Sequence, residues 1–141
     1  MANLATILAQ QGDLGQAIDT FRIALRLDPG AVSTRGNLAL ALARAGRPEE
    51  AAAEYESLQA TGAGRLDLAE ALAAAYAAGG RWEAAVTTGE HALALAERTR
   101  DEAAAGRLRT QVAGYRAHRS DASFARVGTA PQVVGKEPGA R

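Results

Sequence analysis

The chain has 141 residues, of which 48% are hydrophobic, 23% charged and only 4% aromatic, and its 16 basic and 16 acidic side chains cancel. Alanine is the most frequent residue, while β-branched and aromatic residues are scarce, which favours helices and excludes an all-β sandwich or barrel. The absence of cysteine excludes disulfides and sulfur-ligated metals, and the net charge of zero argues against a chain-wide basic surface for nucleic acid.

Helical periodicity and turn residues predict seven helices in chain order, near residues 2–11, 14–27, 31–45, 48–60, 66–78, 82–98 and 101–118. Asp13 and Gln16 form a capping box before the second helix, and Pro48 is typical of the first turn of the fourth. No glycine or proline separates the last two helices, so one continuous helix is an alternative there. From residue 120 the periodicity ends, and we expect residues 120–141 to form a disordered tail.

An internal repeat links the first six predicted helices. Gly12, Gly46 and Gly80 recur at intervals of 34 residues, each at the predicted end of a helix. The same spacing aligns further columns of packing residues, namely Leu4, Leu38 and Leu72, then Leu8, Leu42 and Tyr76, then Ala17, Ala51 and Ala85. Large residues four apart form an apolar stripe on the first helix of each unit, and the alanines let the second helix approach closely.

This pattern resembles the tetratricopeptide repeat, a helix–turn–helix unit of 34 residues. The resemblance covers residues 1–100 and implies an all-α solenoid of about three units. The helix that begins at Asp101 carries apolar residues on one face and arginines on the others, so we expect it to cap the solenoid. The solenoid with its cap would then occupy residues 1–119.

The third unit departs from the family pattern at Gly89. Phe21 and Tyr55 fill the equivalent position in the first two units, where the family has a large aromatic. A glycine there should weaken the helix by roughly 1 kcal/mol relative to alanine. We expect a thinner core at this position.

No catalytic constellation is visible in the chain. Glu90 and His91 are adjacent, so on a helix their side chains point about 100° apart, and His118 lies near a helix end. Gly62 and Gly64 belong to a T-G-A-G-R turn that lacks the G-K-[ST] ending of a phosphate-binding loop. We therefore predict no enzyme activity, no metal and no cofactor for this chain.

The resemblance implies that ligands bind on a concave face built from the first helix of each unit. Asn3 and Asn37 share one register position and resemble the asparagine ladder in the repeats of O-linked N-acetylglucosamine transferases, which holds an extended peptide by its backbone. Ala71 interrupts the ladder, and the alternative is that both asparagines are ordinary polar residues on an exposed face. The predicted peptide-binding residues are Asn3, Asn37, Leu40, Arg44, Asp67 and Glu70.

Charge on this face restricts the partner. Asp67 and Glu70 would repel a terminal carboxylate, which excludes the carboxylate clamp known in the family and favours a segment that carries Lys or Arg. We predict a scaffold that binds a partner protein or an extended peptide. A further possibility is that the exposed face of the first helix pairs with a second copy to give a homo-oligomer.

The location of the protein follows from what the sequence lacks. No stretch approaches the ~20 apolar residues that cross a bilayer, and residues 1–11 lack the basic start of a signal peptide. We expect a cytoplasmic protein, and the preference for arginine over lysine suggests a bacterial genome rich in GC. An alternative is the C-terminal portion of a larger enzyme, because H-A-L-A-L-A-E and the helix closing in Tyr115 and Arg116 resemble the ends of bacterial membrane proteins with a glycosyltransferase-like part.

Overall fold

The computed structural model describes residues 1–128, which form seven α-helices and contain no strand. The helices are α1 Ala2–Gln10, α2 Leu14–Leu27, α3 Val32–Arg44, α4 Pro48–Ala60, α5 Leu66–Ala78, α6 Trp82–Arg98 and α7 Glu102–Gly128. The prediction of an all-α solenoid with a C-terminal helix is confirmed.

The helices stack as pairs. Each helix packs against the next in the chain, and α3 also packs against α1 and α5, so the first helices of successive pairs form one layer. The repeated alanines lie where the helices cross and are fully buried, among them Ala5, Ala17, Ala39, Ala51 and Ala85. A methyl group at each crossing keeps the helices close, which explains the repeat of alanine.

The repeated glycines end the first helix of each pair. Gly12, Gly46 and Gly80 have φ of 89°, 73° and 72°, a conformation that side chains with a Cβ adopt at a cost. After each glycine the next backbone N–H closes the helix end, as Asp13 does by donating to the Leu8 carbonyl at 3.0 Å. The recurrence at 34 residues therefore marks helix ends, as predicted.

The break between α6 and α7 uses no glycine. Arg100 takes φ of 57°, and the Asp101 N–H donates to the Ala96 carbonyl at 2.9 Å to close α6. The Asp101 carboxylate then accepts from the Ala104 N–H at 3.0 Å and caps α7. The alternative of one continuous helix is therefore wrong.

Helix α7 is longer than predicted. It was expected to end near residue 118, but it continues to Gly128, so residues 120–128 are helical and not a disordered tail. The rest of the predicted tail, residues 129–141, lies outside the described residues. Along α6, Glu83, Glu90 and Glu97 recur every seven residues and pair with three arginines of α7, one of which lies beyond the predicted end of that helix. These partners are Arg119, Arg116 and Arg109, at 3.2, 2.6 and 2.9 Å respectively.

Gly89 is a point of close contact between α6 and α7. The glycine is buried, and a Cβ added to it would lie 2.8 Å from Val112 Cγ2 and 3.7 Å from the Tyr115 ring. Val112 and Tyr115 thus occupy the space that the family aromatic fills. The expectation of a thinner core at Gly89 was wrong, because the capping helix supplies the missing volume.

Candidate binding surface

The predicted binding residues lie on the layer of first helices but in different surroundings. Asn3 is exposed on α1, and Arg44 is exposed at the C-terminal end of α3. Leu40 is half-buried against the core and offers little surface to a ligand. The remaining three predicted residues take part in polar contacts: Asn37 and Glu70 pair with arginines outside their own helices, and Asp67 pairs with Arg65, two residues before it at the start of α5.

A residue missing from the prediction, Arg65, joins two of them. Its Nη1 donates to Asn37 Oδ1 at 3.0 Å, across the joint between the second and third helical pairs. Its Nε and Nη2 donate to Asp67 Oδ1 and Oδ2 at 3.0 and 2.6 Å, a two-point contact between planar groups. The structure therefore brings Asn37 and Asp67 together through one guanidinium.

Gly36 makes room for this guanidinium. A Cβ on Gly36 would lie 2.5 Å from Arg65 Nη1 and 3.1 Å from Arg65 Cδ, so the arginine lies directly on the backbone of α3. We call Gly36, Asn37, Arg65 and Asp67 the Arg65 cluster. A glycine inside a helix costs about 1 kcal/mol and often marks such close approach, so Gly36 was the one signal in the sequence that could have revealed the contact.

The carboxylates of this surface are already paired with arginines. The hydrogen bonds from Arg65 hold the pKa of the Asp67 carboxyl below its usual range, and the same contact raises the pKa of Arg65. Glu70 Oε1 lies 3.6 Å from Arg107 Nε, a partner that α7 supplies. The acidic rim that favoured a basic ligand is thus largely neutralised within the protein.

Replacing Arg65 by methionine is expected to raise the pKa of Asp67 toward the ordinary value of an aspartate. A folded pKa below the unfolded value of about 3.9 means that the pair stabilises the fold above that pH and loses this contribution as the pH falls through the folded pKa. In the Arg65→Met protein this acid-dependent loss should shrink. A carboxyl NMR titration of Asp67 measures the shift directly. Arg44→Met, at the other end of α3, should leave it unchanged, and an unchanged pKa in Arg65→Met would contradict the assignment.

The two histidines make contacts between helices. His91 Nδ1 lies 3.2 Å from Gln59 Nε2 and 3.4 Å from the Tyr55 hydroxyl, both on α4. His118 stacks on Trp82, with ring centroids 4.5 Å apart and an interplanar angle of 17°. Within residues 1–128, His, Asp and Glu side chains form no group that could hold a metal ion. In the same part of the chain, no helix combines the length and the apolar character that a membrane span requires.

Comparisons with known proteins agree with the stacking of helical pairs. One model of the tetratricopeptide repeat matches residues 2–65, and a second model of the same repeat matches residues 68–112. The first match covers α1 to α4, and the second begins in α5 and ends inside α7, so the boundary between them falls beside Arg65 and Asp67. A search of curated proteins gave no match.

Proposed function

The chain belongs to the tetratricopeptide repeat family, whose repeats generally mediate protein–protein interactions, and from this we propose that its concave surface binds an extended segment of a partner protein. The observation that carries the proposal is the contact between Arg65 and Asn37 over Gly36. It gives Asn37 one orientation, because the amide oxygen faces Arg65 and the two N–H donors of Nδ2 remain for a peptide carbonyl. A side chain that is ordered before binding loses less conformational freedom when a ligand arrives.

The charges of the Arg65 cluster shape the expected ligand. Asp67 is paired with Arg65, and Glu70 with Arg107, so neither carboxylate is left to attract a basic segment without giving up a partner. Recognition through the peptide backbone, which every sequence shares, fits this surface better than recognition through charge. We therefore expect bound peptides to be extended and to show no enrichment in Lys or Arg.

The proposal is tested by selecting peptides from a random display library against the full chain and measuring the affinity of the selected peptides by fluorescence polarisation. Asn37→Ala removes one neutral hydrogen bond and should weaken binding by about two- to tenfold, corresponding to about 0.4–1.4 kcal/mol. Asn3→Ala tests the ladder and should also weaken binding. Gln59→Ala, on α4, is the matched amide control and should leave the affinity unchanged.

Two results would overturn the proposal. One is an unchanged affinity in both Asn37→Ala and Asn3→Ala, with the helical content of the wild type. In that case Asn37 would serve only to tie the second helical pair to the third. The other is a loss of affinity in Gln59→Ala that is as large as the loss in Asn37→Ala and Asn3→Ala, which would place recognition on another surface. A strong enrichment in Lys or Arg would restore the acidic-rim interpretation.

A further inference from the structure

Helix α7 repeats the pattern of buried residues found on α5. Helix α5 begins at Leu66, and α7 begins at Glu102, 36 residues later. The same interval relates four buried residues of each helix, so a residue of α7 is in register with the residue of α5 that lies 36 positions before it. The four pairs are Leu68 and Ala104, Ala69 and Ala105, Leu72 and Leu108, and Tyr76 and Val112.

This register places an arginine where the first two units carry the asparagine ladder. Arg107 is in register with Ala71, which is in register with Asn37 and Asn3. Its Nε lies 3.6 Å from Oε1 of Glu70, the residue that precedes Ala71 on α5. Arg107 therefore lies beside the predicted binding residues of α5, at the end of the proposed binding surface that α7 supplies.

The two members of the Glu70–Arg107 pair are unequally exposed. The side chain of Arg107 is 58% exposed, whereas that of Glu70 is 24% exposed. Burial and the negative charge of Glu70 raise the pKa of Tyr115 on α7, so the carboxylate lies in the gap between α5 and α7. A ligand that approaches this end of the surface therefore meets the guanidinium before it meets the carboxylate.

Most of the hydrogen-bond donors of Arg107 are unused. A guanidinium has five N–H donors in a rigid planar fork, and only Nε faces Glu70. At 3.6 Å this contact is an ion pair beyond hydrogen-bonding distance. The two terminal nitrogens, Nη1 and Nη2, meet no acceptor among residues 1–128. They can bind a carboxylate end-on at two points, while Nε keeps its place beside Glu70.

We propose that the partner segment carries an aspartate or glutamate side chain that pairs with Arg107, at the α7 end of the surface on which Asn37 holds the peptide backbone. The inference rests on the proposed function, because it assigns one side chain of the same bound segment. Gln111 lies one turn after Arg107 on the same face of α7, and its amide makes no hydrogen bond in the described part of the chain. It supplies a donor and an acceptor for the backbone next to the acidic residue.

Peptides selected from a random display library against the full chain test this pairing, and we expect Asp or Glu at one fixed position among them. Affinities are measured by isothermal titration calorimetry on synthetic peptides with an acetylated N-terminus and an amidated C-terminus, so that only side chains supply carboxylates. Arg107→Met should weaken binding about two- to tenfold. A peptide in which the acidic residue is replaced by its amide should bind the wild type and Arg107→Met equally well.

Glu70→Gln should change the affinity in the opposite direction. It removes the carboxylate that competes for Arg107 but keeps the size of the side chain, so acidic peptides should bind about two- to threefold more tightly. If the Glu70–Arg107 pair served only to hold α7 in place, both variants would weaken binding. Arg26→Met removes an exposed arginine on α2, and this matched control for net charge should leave the affinity unchanged.

Three results would overturn the inference. Peptides that lose affinity in Asn37→Ala but not in Arg107→Met would leave the proposed function standing and exclude the acidic contact. A loss in Arg26→Met as large as that in Arg107→Met would show a response to net charge alone, and a loss confined to Arg44→Met would assign the acidic residue to α3. A chain that selects no peptide at all would overturn the proposed function and this inference together.

Discussion

Replacing Phe21 by alanine is expected to lower the free energy of unfolding by about 3–5 kcal/mol. Phe21 is only 1% exposed and is the largest fully buried side chain in the described residues. It lies on α2 in the core shared with α3, so its removal leaves a cavity at the joint between the first two helical pairs. In a stack whose pairs contact only their neighbours, no other element can move in to fill that space.

Urea denaturation followed by circular dichroism measures this loss, and the chain provides its own control. The sequence has two phenylalanines, and the second, Phe124, is 82% exposed on α7. Phe124→Ala should change the free energy of unfolding by no more than about 0.5 kcal/mol. Similar losses of unfolding free energy in Phe21→Ala and Phe124→Ala would show that burial between the first two helical pairs does not explain the effect of replacing Phe21.

Introducing leucine at Gly89 is expected to destabilise the fold by about 3 kcal/mol. Even a single Cβ at this position would lie 2.8 Å from Val112 Cγ2, and the branched valine has few rotamers with which to move aside. A larger side chain would push α7 away from α6 and expose Leu108, which is fully buried. An aromatic residue of the kind that the family has at this position should be at least as harmful here.

Gly114→Ala on α7 is the matched control for Gly89→Leu. A Cβ at Gly114 meets nothing within 4 Å, so alanine should stabilise the helix by about 1 kcal/mol. Combining Gly89→Leu with Val112→Ala should recover part of the lost stability, because the second change removes the atom that collides. A Gly89→Leu chain as stable as the wild type would contradict the close contact between α6 and α7.

Much of the fold was predictable because its determinants are local or periodic. Gly12, Gly46 and Gly80 end helices through backbone bonds within one turn, and such signals can be found in any sequence. Buried alanines recur at a fixed spacing where two helices cross closely, and the chain contains this pattern three times. The break between residues 98 and 101 was predicted, but one continuous helix remained an alternative, because no glycine or proline marks the turn and an arginine rarely takes the positive φ that Arg100 adopts.

The binding surface was only partly predictable. Asn37 and Asp67 were named from their register, but the contact between them depends on Arg65, which lies 28 residues after Asn37 and outside the packing columns of the repeat. The direction of the Arg65 side chain is set by the joint between the second and third helical pairs and by the missing side chain of Gly36. The preference for a basic ligand assumed unpaired carboxylates, whereas Arg107 reaches Glu70 from a helix whose alignment the sequence did not specify.

The ion pairs between α6 and α7 leave the alignment of these two helices ambiguous. Because the glutamates recur every seven residues, sliding α7 by seven residues in either direction would still match two carboxylates with two arginines. In one direction Val112 would then meet the bulky Trp82, and in the other it would meet the Cβ of Ala96. Only at Gly89 does α6 leave a gap that fits Val112. The residue that departs from the family pattern therefore favours the same alignment as the short turn between α6 and α7, whereas the repeated glutamates alone would allow three.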